Sequence, residues 1–192
     1  MNYVNFIIVV LDDQGWTGTS VQMDDLIPDS KSDFHITSAL ESLALKGMTF
    51  SQGYAPAPKC SPSRASILTG KTPARNNFTT TDNAIATGKI LIEPTIVTAL
   101  DGNEITYAEW FKTTGLNYRT AHFGKWHQGT NTASSPSSNG FDFSDGSTSN
   151  NDGNQGGTIQ TDPKKILELT NKSIQFIKDA VSDNVPFVLQ LS

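Results

Sequence analysis

Residues 5–13 read NFIIVVLDD: one polar residue, six apolar residues of which four are β-branched, then two aspartates. A continuous apolar run is the pattern of a strand covered on both faces, whereas a strand with one wet face alternates. The run falls far short of the roughly 20 residues that cross a bilayer, so it is no transmembrane segment. It predicts a first strand over residues 5–11 of a parallel sheet, with Asp12 and Asp13 at its carboxyl end. No basic n-region or small-residue cleavage site precedes it, so either the protein is not exported or a leader was removed. The first case implies a cytoplasmic protein, the second a periplasmic or secreted one.

Outward from this strand, helix and strand signals alternate. Ile36, Leu40, Leu43 and Ala44 recur at helical spacing, with Gly47 where a left-handed cap would stop the helix, and residues 48–54 look extended. Pro62 suits the first turn of a helix that runs to about Thr69 and ends at Gly70, which puts Cys60 at or just before its N-terminus. Thr106-Tyr-Ala-Glu109 is a capping box for a helix through Phe111 that stops at Gly115, and LNYRTAHF (residues 116–123) follows as a strand. Residues 130–161 are rich in Ser, Asn, Gly and Thr, too polar to build core, and predict a long surface loop lining a site. Asp162 and Pro163 then predict the cap and first turn of a helix carrying Ile166, Leu169, Ile174 and Ile177, followed by a buried strand at FVLQLS (residues 187–192).

Strands separated by helices imply right-handed crossovers, hence an α/β fold with a mostly parallel sheet and helices on both faces. The 192 residues, 36% hydrophobic and 17% charged, suffice for one domain with a core. A net charge of −5, with lysines and arginines scattered among acids, offers no basic stripe for a nucleic acid. The single cysteine, Cys60, excludes an intramolecular disulfide and leaves the redox compartment open. Oligomeric state is not legible.

In such sheets ligands gather beyond the carboxyl ends of the strands, and three clusters fall there. Asp12 and Asp13 are adjacent carboxylates whose repulsion a hard divalent ion such as calcium or magnesium would relieve; a turn with an aspartate cap fits the pair equally well. Lys125 and His127 stand two apart in FGKWHQG (residues 123–129), so an extended backbone projects both to one face and suits an anionic substrate; a solvated loop is the plainer alternative. Cys60 lies beside Lys59 and Arg64, positive surroundings that make a thiol more reactive, and the Arg64 fork could grip a tetrahedral oxyanion. A lone cysteine is also commonly a buried small hydrophobe. The residues thus reach an anion-binding hydrolase site with Cys60 as nucleophile, with or without the help of a metal, and leave the substrate open.

CSPSRASILTG (residues 60–70) resembles the sulfatase signature, Cys-x-Pro-Ser-Arg followed by a short helix ending in Leu-Thr-Gly. YRTAHFGKWHQG (residues 118–129) resembles the second signature of that family, Gly-Lys-Trp-His-x-Gly, and NFIIVVLDDQGW (residues 5–16) its first strand with a metal-binding aspartate pair. FDFSDG (residues 141–146) falls where the family often carries Gly-Phe-Asp. The resemblance covers the chain in the family's order and implies an alkaline-phosphatase-like fold. It implies that a formylglycine-generating enzyme reads Cys60, Pro62 and Arg64 and oxidises Cys60 to formylglycine. The hydrated aldehyde would attack the sulfur of a sulfate ester, and its second hydroxyl, deprotonated with help from His127, would then expel sulfate. Asp12, Asp13 and the residue-60 side chain would belong to a calcium or magnesium site, while Arg64 and Lys125 hold the formylglycine and, with His127, the sulfate.

Sulfatases are longer than this chain, and their remaining metal ligands, second lysine and second histidine would follow Ser192. Residues 1–192 therefore read as the N-terminal portion of a sulfatase catalytic domain, inactive alone. His35 matches no site position of the family. Two alternatives stay open: a phosphonate or phosphate monoester hydrolase of the same superfamily, and a non-catalytic fragment that binds anions or metal.

Overall fold

The computed structural model describes residues 4–81, 97–149, 162 and 164–192. In chain order its regular elements are β1 (Phe6–Val9), α1 (Ser38–Ala44), α2 (Cys60–Thr69), α3 (Pro73–Asn76), α4 (Tyr107–Thr113), β2 (Arg119–Phe123), β3 (Phe143–Ser144), α5 (Ile166–Ser182) and β4 (Phe187–Leu191). The chain divides into two compact units, Met1–Val10 with Pro56–Ser192, and Leu11–Ala55.

The larger unit is the predicted α/β layer structure. Its strands run in the order β1-β4-β2-β3, and every pair is parallel. Register follows from side-chain alternation: Phe6 stands beside Val188, Arg119 beside Phe187, and Ala121 beside Phe143. Ala121, Phe123, Phe187 and Leu189 point to one face and form a core with Phe176 and Ala180 of α5. Phe176 meets Phe123 and Phe187 edge to face at 6.2 and 5.8 Å, and burying a phenyl ring there stabilises by roughly 1.5–3 kcal/mol. The alternate positions face the other way. His122 packs against Trp126 and Phe141 at 4.9 and 5.6 Å, over a second core of Ala65, Leu68, Phe78, Leu100 and Ala108. Gln190 accepts the hydroxyl of Tyr107, whose burial holds its phenol above the ordinary tyrosine range.

Several local expectations hold. Gly70 caps α2 at φ 68°, and Thr106 and Glu109 make both bonds of the capping box that opens α4. Others need correction. The first strand is shorter than residues 5–11 and is the edge of the sheet, with Ile7 and Val9 53% and 56% exposed, so its covering is incomplete among the described residues. The helix expected from Ile36 begins at Ser38, its C-cap is Leu45 in the right-handed region, and Gly47 takes no left-handed conformation. Residues 48–54 form no strand; they pass through a turn instead.

On α5 the buried positions are Ser173, Phe176 and Ala180, with Leu169 and Ile177 packed beside them, while Ile166 and Ile174 are exposed. Asp162 does accept the first-turn amides of Leu167 and Glu168 at 3.1 and 3.0 Å, although the N-cap is Lys165; Pro163 lies outside the described residues. The polar stretch from residue 130 contributes more than surface. Ser134, Asn139 and Phe141 are buried, Trp126 donates its ring N–H to the Ser134 carbonyl at 2.6 Å, and β3 joins the sheet; residues 150–161 lie outside the described residues.

The smaller unit is mostly loop, held by side chains in place of a ladder. Ser20 and Thr37 exchange bonds, each backbone N–H donating to the other's hydroxyl at 2.9 and 2.8 Å. Fully buried Ser30 accepts from the Gln22 amide and from Asp24 N–H, and donates back to the Asp24 carbonyl.

Candidate active site

Cys60 is the first residue of α2 and is half-buried. Lys59 is the N-cap of α2, and the first-turn amides of a helix carry partial positive charge that favours an anion. The apolar positions Ala65 and Leu68 pull the other side of this helix into the core, which fixes its rotation and turns Arg64 inward. Arg64 is 2% exposed and donates through Nη1 to the main-chain carbonyl of Lys125.

The second cluster follows β2. Its loop is fixed amide by amide: Gly124 N–H donates to the Asp145 carboxylate at 3.0 Å, Lys125 N–H to the Ser192 carbonyl at 3.0 Å, Trp126 N–H to the Thr148 hydroxyl at 2.9 Å, and His127 N–H to the Thr148 carbonyl at 2.8 Å. The Thr148 hydroxyl in turn donates to the Gly124 carbonyl. His127 adopts φ 55°, a left-handed conformation that costs a non-glycine residue roughly 1–2 kcal/mol and persists where neighbours impose it. Gly124 has φ 95°, and a Cβ there would stand 1.9 Å from the Ser192 carbonyl oxygen, so only glycine fits.

Among the described residues, side-chain bonds fasten this loop to α2. One is Arg64 to Lys125; another runs from the Gln128 side-chain amide to the Ser61 carbonyl at 3.1 Å. Cys60, Arg64, Lys125 and His127 therefore share one frame, and Ser61 and His127 line a common cavity of about 310 Å³. Lys125 and His127 are both half-buried. Behind them His122, 1% exposed, is held down to about 3 by burial and then by the nearby Arg64 charge, against a smaller pull from Asp145. It stays neutral beside a buried guanidinium.

Asp12 and Asp13 lie in the smaller unit, both exposed, in a turn that begins two residues after the larger unit's Val10. Asp13 has φ 57°, a conformation aspartate tolerates better than most residues. The pair lines an open cleft of about 1120 Å³ together with Asp29, Asp33, Lys31 and His35. Adjacent carboxylates are hard oxygen donors and fit a calcium or magnesium ion by chemistry. His35, which matches no site position of the resemblance, borders the same cleft as the acidic pair.

Gln128, Thr148 and Asp145 are the site-building residues that sequence reasoning missed. Gln128 was within reach, since it occupies the open position of Gly-Lys-Trp-His-x-Gly. Thr148 had no signal, being one hydroxyl in a stretch full of them.

Residues 4–192 match the family model described as Sulfatase. Among curated proteins the chain is 35% identical over 148 residues to arylsulfatase G of Rattus norvegicus, covering 77% of this chain and 24% of that protein. It is 35% identical over 138 residues to N-acetylgalactosamine-6-sulfatase of Mus musculus, covering 72% and 24%. The chain thus spans about a quarter of these relatives. Among solved structures, Ps i-CgsB in complex with k-i-k-neocarrahexaose aligns with a TM-score of 0.71 at 20% identity, covering 98% of this chain and 44% of that one, a likeness of fold.

Proposed function

Because the chain belongs to the sulfatase family, we propose that it forms the nucleophile-bearing part of a sulfuric ester hydrolase. The observation that supports this most is the fastening of α2 to the Gly124–Gln128 loop through Arg64 and Gln128, which sets Cys60, Arg64, Lys125 and His127 on one frame. Residue 60, its thiol converted to formylglycine and the aldehyde hydrated by water, supplies a gem-diol hydroxyl whose oxygen bonds to sulfur as the ester S–O bond breaks and the alcohol departs with a proton.

The chain's own residues do the remaining work. Arg64 and Lys125 bring positive charge to the sulfuryl oxygens, where negative charge must be held as the ester cleaves. His127 takes a proton from the second residue-60 hydroxyl, so that the C=O bond re-forms and the covalent sulfate is expelled, and the left-handed backbone of His127 fixes where the imidazole begins. Asp12 and Asp13 would hold the divalent ion, calcium or magnesium, which would supply further positive charge for the sulfuryl oxygens.

The test is parallel hydrolysis of an aryl sulfate and an aryl phosphonate ester by the full-length protein matured with the formylglycine-generating enzyme. Faster sulfate ester turnover that is abolished in Cys60→Ala is expected. Dominant phosphonate turnover transfers the assignment to a phosphonate hydrolase of the same superfamily, and turnover that survives Cys60→Ala removes the nucleophile.

A further inference from the structure

We propose that Thr148 is a positioning residue for this reaction: its hydroxyl and its carbonyl together hold the Gly124–His127 loop so that Lys125 and His127 meet the ester. The inference rests on the sulfatase reading and adds a residue that lies outside the signature stretches.

The Thr148 hydroxyl works in both directions, accepting from Trp126 N–H at 2.9 Å and donating to the Gly124 carbonyl. These bonds bracket Lys125 on both sides. The carbonyl of Thr148 takes His127 N–H at 2.8 Å, the bond that accompanies the left-handed backbone of His127. Removing the hydroxyl leaves a donor and an acceptor of the loop without their partner, and the loop can reach new ones only by changing shape. A change of shape there moves the imidazole and the ammonium together.

Thr148 is itself well placed to act as a fixed point. Its N–H donates to the Gly146 carbonyl at 2.9 Å, and the preceding Asp145 accepts from both Gly124 N–H and the Lys172 ammonium, at 3.0 and 2.7 Å. Lys172 belongs to α5 and also pairs with Glu168, so the segment is tied to the helix on one side and to the loop on the other. Cross-links of this kind hold a catalytic loop within the sub-ångström tolerance that proton transfer demands.

The experiment compares Thr148→Val, which keeps shape and carbonyl but loses the hydroxyl, with Thr148→Ser, which keeps the hydroxyl. In the full-length, formylglycine-bearing protein, normalised to formylglycine content, Val should lower kcat by about 10- to 100-fold with KM changed by less than about 3-fold, and Ser should restore most of it. A Val variant with unchanged kcat overturns the proposal, as does an equal loss in Ser. If the unsubstituted protein hydrolyses no sulfate ester, the sulfatase reading fails, and nuclear magnetic resonance of the His127 imidazole decides the inference separately. Resonances that broaden or split in Val and recover in Ser support it, and resonances indifferent to both substitutions overturn it. Should Val not fold, amide exchange in the unsubstituted protein still decides, because slow exchange at Trp126 and His127 is required and rapid exchange at either contradicts the clamp.

Discussion

Arg64 and Lys125 are joined through the main chain, with the buried guanidinium donating to the Lys125 carbonyl. Two cations can thus stand on neighbouring elements without their charges being forced together, and the arginine holds the backbone of the Lys125 loop. Arg64→Lys replaces a planar fork by a point charge on a flexible stem that cannot reproduce this geometry. It should lower unfolding free energy by about 1–3 kcal/mol in urea denaturation, since the half-buried Lys125 carbonyl loses this donor and a buried cation this bond. Stability equal to that of the unsubstituted chain would remove the bond from this account.

Gly124 and Gly146 make a matched pair for testing how closely the loop is packed. Both have left-handed φ, 95° and 84°, but a Cβ at Gly124 meets the Ser192 carbonyl at 1.9 Å whereas nothing lies within 4 Å of one at Gly146. Gly146→Ala should cost only backbone strain, about 1–2 kcal/mol. Gly124→Ala must also displace the end of β4, and should cost more than about 3 kcal/mol or abolish soluble expression. Equal thermal stability of the two variants would contradict the packing described.

His122 makes stability depend on pH. Its folded value is held down to about 3, below the ordinary histidine value of 6.5, by burial first and the Arg64 charge second. The unfolded chain therefore binds the proton more readily, so the neutral form's contribution is complete above about pH 6.5 and is lost as pH falls toward 3. The slope from this group approaches about 1.4 kcal/mol per pH unit. His122→Phe, which keeps an aromatic ring against Trp126 and Phe141, should flatten the dependence between pH 6 and 4 in denaturation curves. An unchanged slope would mean that other groups govern acid unfolding.

What the sequence revealed and what it concealed divide along physical lines. The Cys60 helix and the Thr106–Glu109 box were legible because caps are short-range, set by one residue's φ or by a side chain reaching three positions. The rotation of α5 was not legible because its buried stripe contains Ser173, whose hydroxyl is satisfied by the Leu169 carbonyl at 2.8 Å, while aliphatic Ile166 and Ile174 face outward. Hydrophobicity alone could not rank them. The clamp on the Lys125–His127 loop was concealed for another reason: Asp145 and Thr148 reach back 21 and 24 positions, and a polar stretch gives no pattern from which such pairings could be read. Composition marked that stretch as loop, whereas Phe141 and Asn139 within it are 3% and 1% exposed.

The most direct test concerns Cys60, whose place at the head of α2 beside buried Arg64 underlies the proposed chemistry. The measurement is the intact mass of the Cys60 peptide from protein expressed together with the formylglycine-generating enzyme. Conversion of the thiol to the aldehyde should make that peptide about 18 Da lighter, with a further shift on reaction with a hydroxylamine probe. A peptide that keeps the mass of an unmodified thiol under those conditions would contradict the account.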